Sequence, residues 1–124
     1  MNENLKPLEI EIDKYSPYYY AGASGDFNPI HIDNDFAKMA GLGGVILQGL
    51  CTMAYSYRAV MGNKPPEKIK KLKVRFRGMV RPQDKITIKS TAAKTEKNLI
   101  TYDLSAENQK NEAIITNGLA IVEI

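Results

Sequence analysis

The longest helical pattern of the chain lies near its middle, where residues 45–61 read VILQGLCTMAYSYRAVM. Apolar side chains recur there at helical spacing over three turns, at Leu50, Met53, Ala54, Tyr57 and Met61. An apolar face of that length needs another layer of structure to cover it. The pattern therefore predicts a long, buried central helix from about Val45 to Met61.

Earlier and later in the sequence than this helix, apolar residues occur at every second position, which is typical of half-buried strands. Residues 8–13 alternate in this way, and from Lys70 onward Leu72, Val74 and Phe76 alternate with basic residues. Further strand-like runs cover about residues 85–93, 99–107 and 113–124, separated by the polar turns 94–98 and 107–111. We predict one α+β domain over residues 1–124, with an antiparallel meander in its second half and a curved sheet around the helix.

The region between the first strand and the central helix is less regular. Residues 15–23 are predicted to form an aromatic-rich turn region. Asp33 is placed to cap a short helix whose Phe36, Met39 and Ala40 share one face, and Gly41 follows where a left-handed C-terminal cap is expected. Pro65-Pro66 joins the central helix to the strands.

Composition narrows the class of protein. The chain has 124 residues, of which 44% are hydrophobic, and its net charge is +3. That mild excess is far from the clustered basic charge of nucleic-acid-binding proteins. The N-terminal residues lack a secretory pattern, and no apolar run is long enough for a membrane span. The single cysteine, Cys51, has no disulfide partner and favours a reducing compartment, so we expect a cytoplasmic protein without nucleic-acid or membrane partners.

An acid/base pair lies in the run Ser24-Gly25-Asp26-Phe27-Asn28-Pro29-Ile30-His31. Pro29 fixes its own φ and biases Asn28 toward an extended conformation, so the path from Asp26 to His31 has little freedom. Histidine side chains ordinarily titrate near pH ~6.5, which suits proton transfer close to neutrality. The spacing alone is also compatible with a structural hydrogen bond. Proton-transfer chemistry on a bound small molecule is the functional interpretation.

Two motifs resemble those of the MaoC-like (R)-specific enoyl-thioester hydratases and dehydratases. They read YAGASGDFNPIHID at 20–33 and GVILQGLCTMA at 44–54. The second is most similar to the hydratase-2 type of peroxisomal multifunctional enzymes, and bacterial 3-hydroxyacyl dehydratase subunits are similar too. The motif region covers about residues 20–62, and the later strands agree in order and in the pattern Val74-Arg75-Phe76. The resemblance implies a single hot-dog domain.

The resemblance also implies a reaction and its residues. The substrate would be an acyl thioester of coenzyme A or acyl carrier protein, to which water is reversibly added to give a (3R)-hydroxyacyl thioester. Asp26 and His31 would hold the water, with His31 as base and Asp26 as proton donor in hydration. The Gly49 N–H would bind the thioester oxygen at the positive end of the helix. Asn28 and Gln48 would support substrate binding, with no metal and no cofactor other than the carrier.

One residue departs from the family pattern, which usually has histidine where this chain has Gln48. An amide still donates and accepts hydrogen bonds but does not titrate. A homodimeric enzyme is the first expectation. The alternative is a non-catalytic or partner-dependent hot-dog subunit that binds acyl thioesters within a heteromeric dehydratase.

Three other features have both a structural and a functional interpretation. Cys51 is expected to be a buried and chemically unreactive side chain rather than a nucleophile. Tyr18, Tyr19 and Tyr20 either belong to the local core or line an acyl pocket. The basic row Lys71, Lys73, Arg75 and Arg77 either forms a solvated strand face or meets the phosphates of coenzyme A or an acidic carrier protein.

Overall fold

Five strands and four α-helices make up residues 4–124, the part of the chain that the computed structural model describes. In chain order they are β1 (Leu5–Glu11), α1 (Ser16–Ser24), α2 (Pro29–Ile32), α3 (Asn34–Met39), α4 (Gly49–Met61), β2 (Ile69–Phe76), β3 (Lys85–Glu96), β4 (Leu99–Glu107) and β5 (Ala113–Glu123), with a 3₁₀ turn at Pro66–Lys68 between α4 and β2. The α+β class and the bounds of β4 are as predicted.

The strands form one antiparallel sheet in the order β1-β3-β4-β5-β2. The meander that was predicted for the whole second half is therefore wrong for β2, which lies at the far edge beside β5. The segment after β2 explains this position, because the N–H groups of Arg77 and Gly78 both bond to the carbonyl of Ile114 in β5 (2.8 and 3.4 Å). That segment then carries the chain across to β3.

Helix α4 packs against β1, β2 and β3. Its buried side chains are Cys51, Thr52, Ser56 and Val60, rather than the predicted apolar face. Leu50, from that predicted face, is 65% exposed. Small side chains let the helix lie close to the sheet, so they take the inner face although larger apolar residues are available.

The predicted start of this helix at Val45 is also wrong, since α4 begins at Gly49. Residues 45–48 are held outside the helix by bonds to other segments. The N–H of Leu47 donates to the carbonyl of Val80 at 2.7 Å, and the N–H of Ile46 donates to the carbonyl of Ile30 at 3.1 Å. Apolar spacing alone does not reveal such partners, because they come from distant parts of the chain.

The turn region predicted at residues 15–23 is instead helix α1. Pro17 lies in its first turn, where a missing N–H costs nothing, and Pro17 and Ala21 form its buried face. Gly25 ends it with φ of +79°, and its N–H donates to the carbonyl of Ala21 at 2.9 Å. The aromatic residues between Pro17 and Gly25 led to the prediction of a turn. The proline near the start and the glycine after the end are nevertheless ordinary helix signals.

The short helix α3 has the predicted cap, because the Asp33 carboxylate accepts from the Phe36 N–H at 3.1 Å. Gly41 follows it with φ of +85°, as predicted. Its apolar face is not core, however: Met39 is 80% exposed, and the buried residue is Ala37. A helix of only six residues leaves too few contacts to bury both faces.

Candidate active site

Asp26 lies two residues after the end of α1, and His31 lies in α2. The two side chains are neighbours. The Nε2 atom of His31 is 3.8 Å from Oδ2 of Asp26. That distance is longer than a direct hydrogen bond and leaves the two atoms able to share one bound water. The His31 side chain is 10% exposed, whereas that of Asp26 is 46% exposed. The ring is therefore anchored in the protein, and the carboxylate is open to a ligand.

The other ring nitrogen of His31 fixes its protonation pattern. Nδ1 lies 2.7 Å from the backbone carbonyl of Ile46. A carbonyl oxygen only accepts, so Nδ1 carries the hydrogen of this bond. In the neutral ring this leaves the lone pair on Nε2, directed to the side of Asp26. Sequence analysis assigned no part to Ile46, because nothing in its type or spacing marks a carbonyl as a partner.

A series of side-chain to backbone bonds shapes the loop that carries the pair. The Asp26 N–H donates to Oγ of Ser24 at 3.1 Å, and the Asn28 N–H donates to Oδ1 of Asp26 at 3.3 Å. Oδ1 of Asn28 in turn accepts from the Ile30 N–H at 3.3 Å and caps α2. Asn28 has φ of −52° and ψ of 128°, the extended conformation predicted from Pro29. One carboxylate oxygen of Asp26 is thus held by the loop, and the other faces His31.

Gly49, the first residue of α4, follows Ile46, the backbone partner of His31, by three positions. The segment from Ile46 to Gly49 begins at the partner of His31 and ends at the helix N-terminus, where the first N–H groups have no intrahelical acceptor. A Cβ added at Gly49 would lie 3.3 Å from the ring of Phe76. The Gly49 backbone is therefore bordered by an aromatic ring, a neighbour that sequence analysis did not assign to the site.

Gln48 is a buried link between helices. It is 1% exposed, and its Nε2 donates to the carbonyl of Pro17 in α1 at 2.9 Å. Its Oε1 is the one buried side-chain nitrogen or oxygen without a hydrogen-bond partner in residues 4–124. Gln48 thereby connects the helix that precedes Asp26 with the N-terminus of α4.

The remaining candidates lie around the site. Tyr20 packs against the main hydrophobic cluster, while Tyr19 is 69% exposed. Cys51 is buried, and this burial raises the pKa of its thiol. A cavity of about 650 Å³ lies between β1 and the C-terminal half of α4 and is not lined by the Asp26–His31 pair.

Two absences hold for residues 4–124. This part of the chain contains no group of three or more His, Cys, Asp or Glu side chains arranged to hold a metal ion. None of its helices has both the length and the apolar character needed to cross a membrane.

Two known proteins have sequences similar to that of this chain. A probable enoyl-CoA hydratase 2 from Dictyostelium discoideum is 34% identical over 97% of this chain and 45% of its own length. The peroxisomal multifunctional enzyme type 2 of Drosophila melanogaster is 48% identical over 62 residues, which are 48% of this chain and 10% of that enzyme. The chain thus spans less than half the length of either relative.

The fold is that of the hot-dog hydratases, as predicted. An (R)-hydratase from A. caviae that is involved in PHA biosynthesis superimposes with a TM-score of 0.81 at 23% identity, covering 100% of this chain and 97% of that chain. The family model described as MaoC like domain matches residues 2–115. This match includes the Asp26–His31 loop, α4 and most of the sheet, so the chain belongs to the MaoC-like domain family.

Proposed function

We propose that this domain is an (R)-specific enoyl-thioester hydratase, which in reverse is a 3-hydroxyacyl-thioester dehydratase. The observation that carries the proposal is the orientation of His31, whose Nδ1 is fixed on the Ile46 carbonyl while Nε2 faces Asp26 at 3.8 Å. The name of the Dictyostelium relative, a probable enoyl-CoA hydratase 2, supports the same reaction class.

In hydration, the water between the two side chains attacks C3 of a trans-2-enoyl thioester. The new bond joins the water oxygen to C3, and the water proton passes to Nε2 of His31. The double-bond electrons move toward the thioester carbonyl, whose oxygen gains negative charge and accepts a hydrogen bond from the Gly49 N–H. The proton on His31 passes to the Asp26 carboxylate, which delivers it to C2. Both side chains thereby return to their starting states, so no redox cofactor or metal is required.

Asn28 and Gln48 support this site without transferring protons. Asn28 caps α2 and thereby holds His31, and Gln48 fixes α1 on α4. Position 48, where the family usually has an imidazole, holds an amide here, and its Nε2 donates to the Pro17 carbonyl at 2.9 Å.

The deciding experiment measures loss of enoyl absorbance with crotonyl- and longer trans-2-enoyl-coenzyme A, using His31→Ala as control. We expect turnover by the native protein and almost none by the variant. A well-folded native protein without turnover on coenzyme A or carrier-protein substrates would contradict the proposal.

A homodimer is the assembly that we propose for the active form. Sedimentation of the purified protein should give twice the mass of one chain, 13.8 kDa, and the dimer should be active alone. Activity that arises only when a second hot-dog chain is added would support the heteromeric alternative instead.

We propose a cytoplasmic location, supported by the single buried thiol of Cys51, which suits a reducing compartment. The Drosophila relative is named as peroxisomal, so the peroxisome is the location to test against. Fluorescence of a tagged protein in the native cells would contradict the proposal if it were confined to an organelle.

A further inference from the structure

We infer that the ring of Phe76 forms one side of the thioester site at Gly49 and keeps water away from the amide that receives the carbonyl oxygen. This inference rests on the proposed function. Three ring atoms of Phe76 lie 3.3, 3.4 and 3.6 Å from the place of a Cβ on Gly49. Because that place corresponds to one hydrogen of the Gly49 Cα, the ring lies directly against this side of the residue.

The pleat of β2 directs the ring toward α4. Side chains at alternate positions of a strand lie on the same face, and Leu72, Val74 and Phe76 form one such series. Leu72 and Val74 pack against the hydrophobic core. Phe76 is the last residue of the strand and pairs with Ile115 in β5. The inner face of β2 therefore ends in an aromatic side chain that contacts the first residue of α4.

The backbone that follows Phe76 holds the ring in place. The N–H of Arg77 donates to the carbonyl of Ile114 in β5 at 2.8 Å. Three residues later, the carbonyl of Val80 accepts from the N–H of Leu47 at 2.7 Å. One short segment is thus bonded both to the sheet and to the chain that leads into α4. The ring and the start of the helix consequently keep a fixed relative position.

The N-terminus of α4 is the place where exclusion of water matters. Its first N–H groups have no intrahelical acceptor, and the Gln48 side chain bonds to Pro17 instead of capping the helix. The first turn, residues 49–52, contains no acidic side chain. A hydrogen bond to a developing oxyanion is stronger where water is excluded, because the local dielectric is lower. A hydrocarbon ring against Gly49 provides this exclusion on one side of the amide.

The outer part of the ring is left for the substrate. Phe76 is 46% exposed and Gly49 is half-buried, so both border open space. A single exposed aromatic side chain needs no explanation by itself, and it is the contact with Gly49 that distinguishes Phe76. Enoyl thioesters are flat and apolar around their carbonyl group. Binding of such a group at Gly49 covers the ring and expels the water between them.

The first test compares the hydration kinetics of three variants. We expect Phe76→Ala to lower kcat for crotonyl-coenzyme A about tenfold, less than the roughly 10²–10³-fold loss of a whole oxyanion donor, because the amide itself remains. Phe76→Tyr keeps the ring and should keep native kcat. Met79→Ala is the matched control, since Met79 is also exposed (45%) and lies three residues further along the same segment. It should keep native kcat as well.

The second test observes the thioester carbonyl directly and needs no turnover. Crotonyl-coenzyme A with a ¹³C-labelled carbonyl is bound to the inactive His31→Ala protein, and the C=O stretch is measured by difference infrared spectroscopy. A strong hydrogen bond from a desolvated amide lowers this frequency. We expect a clear downshift from the value in water, and a much smaller downshift when Phe76→Ala is added. Adding Met79→Ala should leave the frequency unchanged.

Folding and assembly are controlled by urea denaturation and sedimentation of every variant. If Phe76→Ala does not fold, Phe76→Leu takes its place, because it keeps apolar volume while leaving part of the Gly49 surface uncovered. The inference is overturned if removal of the ring leaves both kcat and the carbonyl frequency native, or if Met79→Ala causes the same losses. It is also overturned if removal of the ring halves the mass of the native assembly, since Phe76 would then serve an interface between chains.

The proposed function fails separately. Absence of turnover by the native protein with every enoyl thioester would contradict the hydratase proposal, while the carbonyl frequency of the bound thioester would still test Phe76. Absence of both turnover and thioester binding would contradict the two together.

Discussion

The orientation of His31 depends on a single backbone carbonyl. The bond from Nδ1 to Ile46 directs the free lone pair of the neutral ring to the side of Asp26, so one residue without functional chemistry of its own decides which nitrogen can accept a proton. The sequence singled out Asp26 and His31, which lie 3.8 Å apart, and predicted the extended conformation of Asn28, although residues 29–32 form the single turn α2. It did not identify Ile46, because a main-chain acceptor carries no side-chain pattern.

Replacing either member of the pair should abolish most of the hydration rate. We expect Asp26→Asn and His31→Ala each to lower kcat by roughly 10²–10⁴-fold, and the double variant to lose little more, because the two groups act on one water. The measurements are enoyl turnover and the urea unfolding midpoint. Asp35→Asn, which removes an exposed carboxylate on α3, is the control and should keep native kcat. Equal turnover in all three single variants would refute the roles assigned to the pair.

Gln48 should tolerate histidine but not leucine. Gln48→Leu removes the donor to the buried Pro17 carbonyl and should lower the free energy of unfolding by about 1–3 kcal/mol. Gln48→His can supply a ring N–H at the same place, so its loss should be clearly smaller. Urea denaturation of both variants checks this, and equal stabilities would show that the Pro17 bond contributes little.

At the scale of elements, two short helices follow each other and have similar caps. Asn28 caps α2 and Asp33 caps α3, each through its side-chain oxygen. The sequence indicated α3 from its capping residue and glycine stop, whereas α2 is a single turn that is too short to give a period. The sequence predicted the C-terminus of α4 correctly, because local apolar spacing defines that end. It placed the start of α4 too early, at Val45 rather than Gly49, because long-range hydrogen bonds define the start.

These two caps should differ in their effect on the reaction. Asn28→Ala and Asp33→Ala should each cost about 1 kcal/mol of stability. Only Asn28→Ala should also lower kcat, by roughly tenfold to a hundredfold, because α2 carries His31 and small displacements of a reacting group are costly. Parallel turnover and denaturation measurements provide the comparison. A similar loss of kcat in both variants would mean that the effect comes from stability alone.

At the scale of the whole molecule, strand periodicity predicted the sheet well, and the order of its strands poorly. Alternation along β3, β4 and β5 is local, so their positions and mutual pairing follow from sequence. The end of β3 was predicted wrongly, because the strand continues through part of the predicted turn to Glu96. The place of β2 depends on the bonds of the 77–78 backbone to Ile114, which no local pattern contains. The inner face of α4 was misjudged because close packing selected small residues instead of the most apolar ones.

The tight contact between β4 and β5 should make the sheet sensitive to a single added methyl group. A Cβ at Gly118 would lie 2.8 Å from Cβ of Leu104 and 2.9 Å from its carbonyl oxygen. We expect Gly118→Ala to destabilise the protein by about 1–3 kcal/mol. Gly22→Ala, in helix α1 with no atom within 4 Å of its added Cβ, should instead be neutral or stabilising by up to about 1 kcal/mol. Thermal unfolding of both variants tests the contrast, and similar midpoints would show that β4 and β5 separate easily.

The rate at which a reagent labels the single cysteine can report local opening of α4. Cys51 lies in the first turn of α4 with 9% exposure, and because burial raises its pKa, less of it is thiolate at a given pH than in the unfolded chain. A thiol reagent at pH 8 should therefore label the native protein far more slowly than the urea-unfolded chain, and the ratio of rates reports the free energy of opening. A substrate analogue that binds at the Gly49 amide should slow the labelling further. Labelling as fast in the native protein as in urea would show that the start of α4 frays freely.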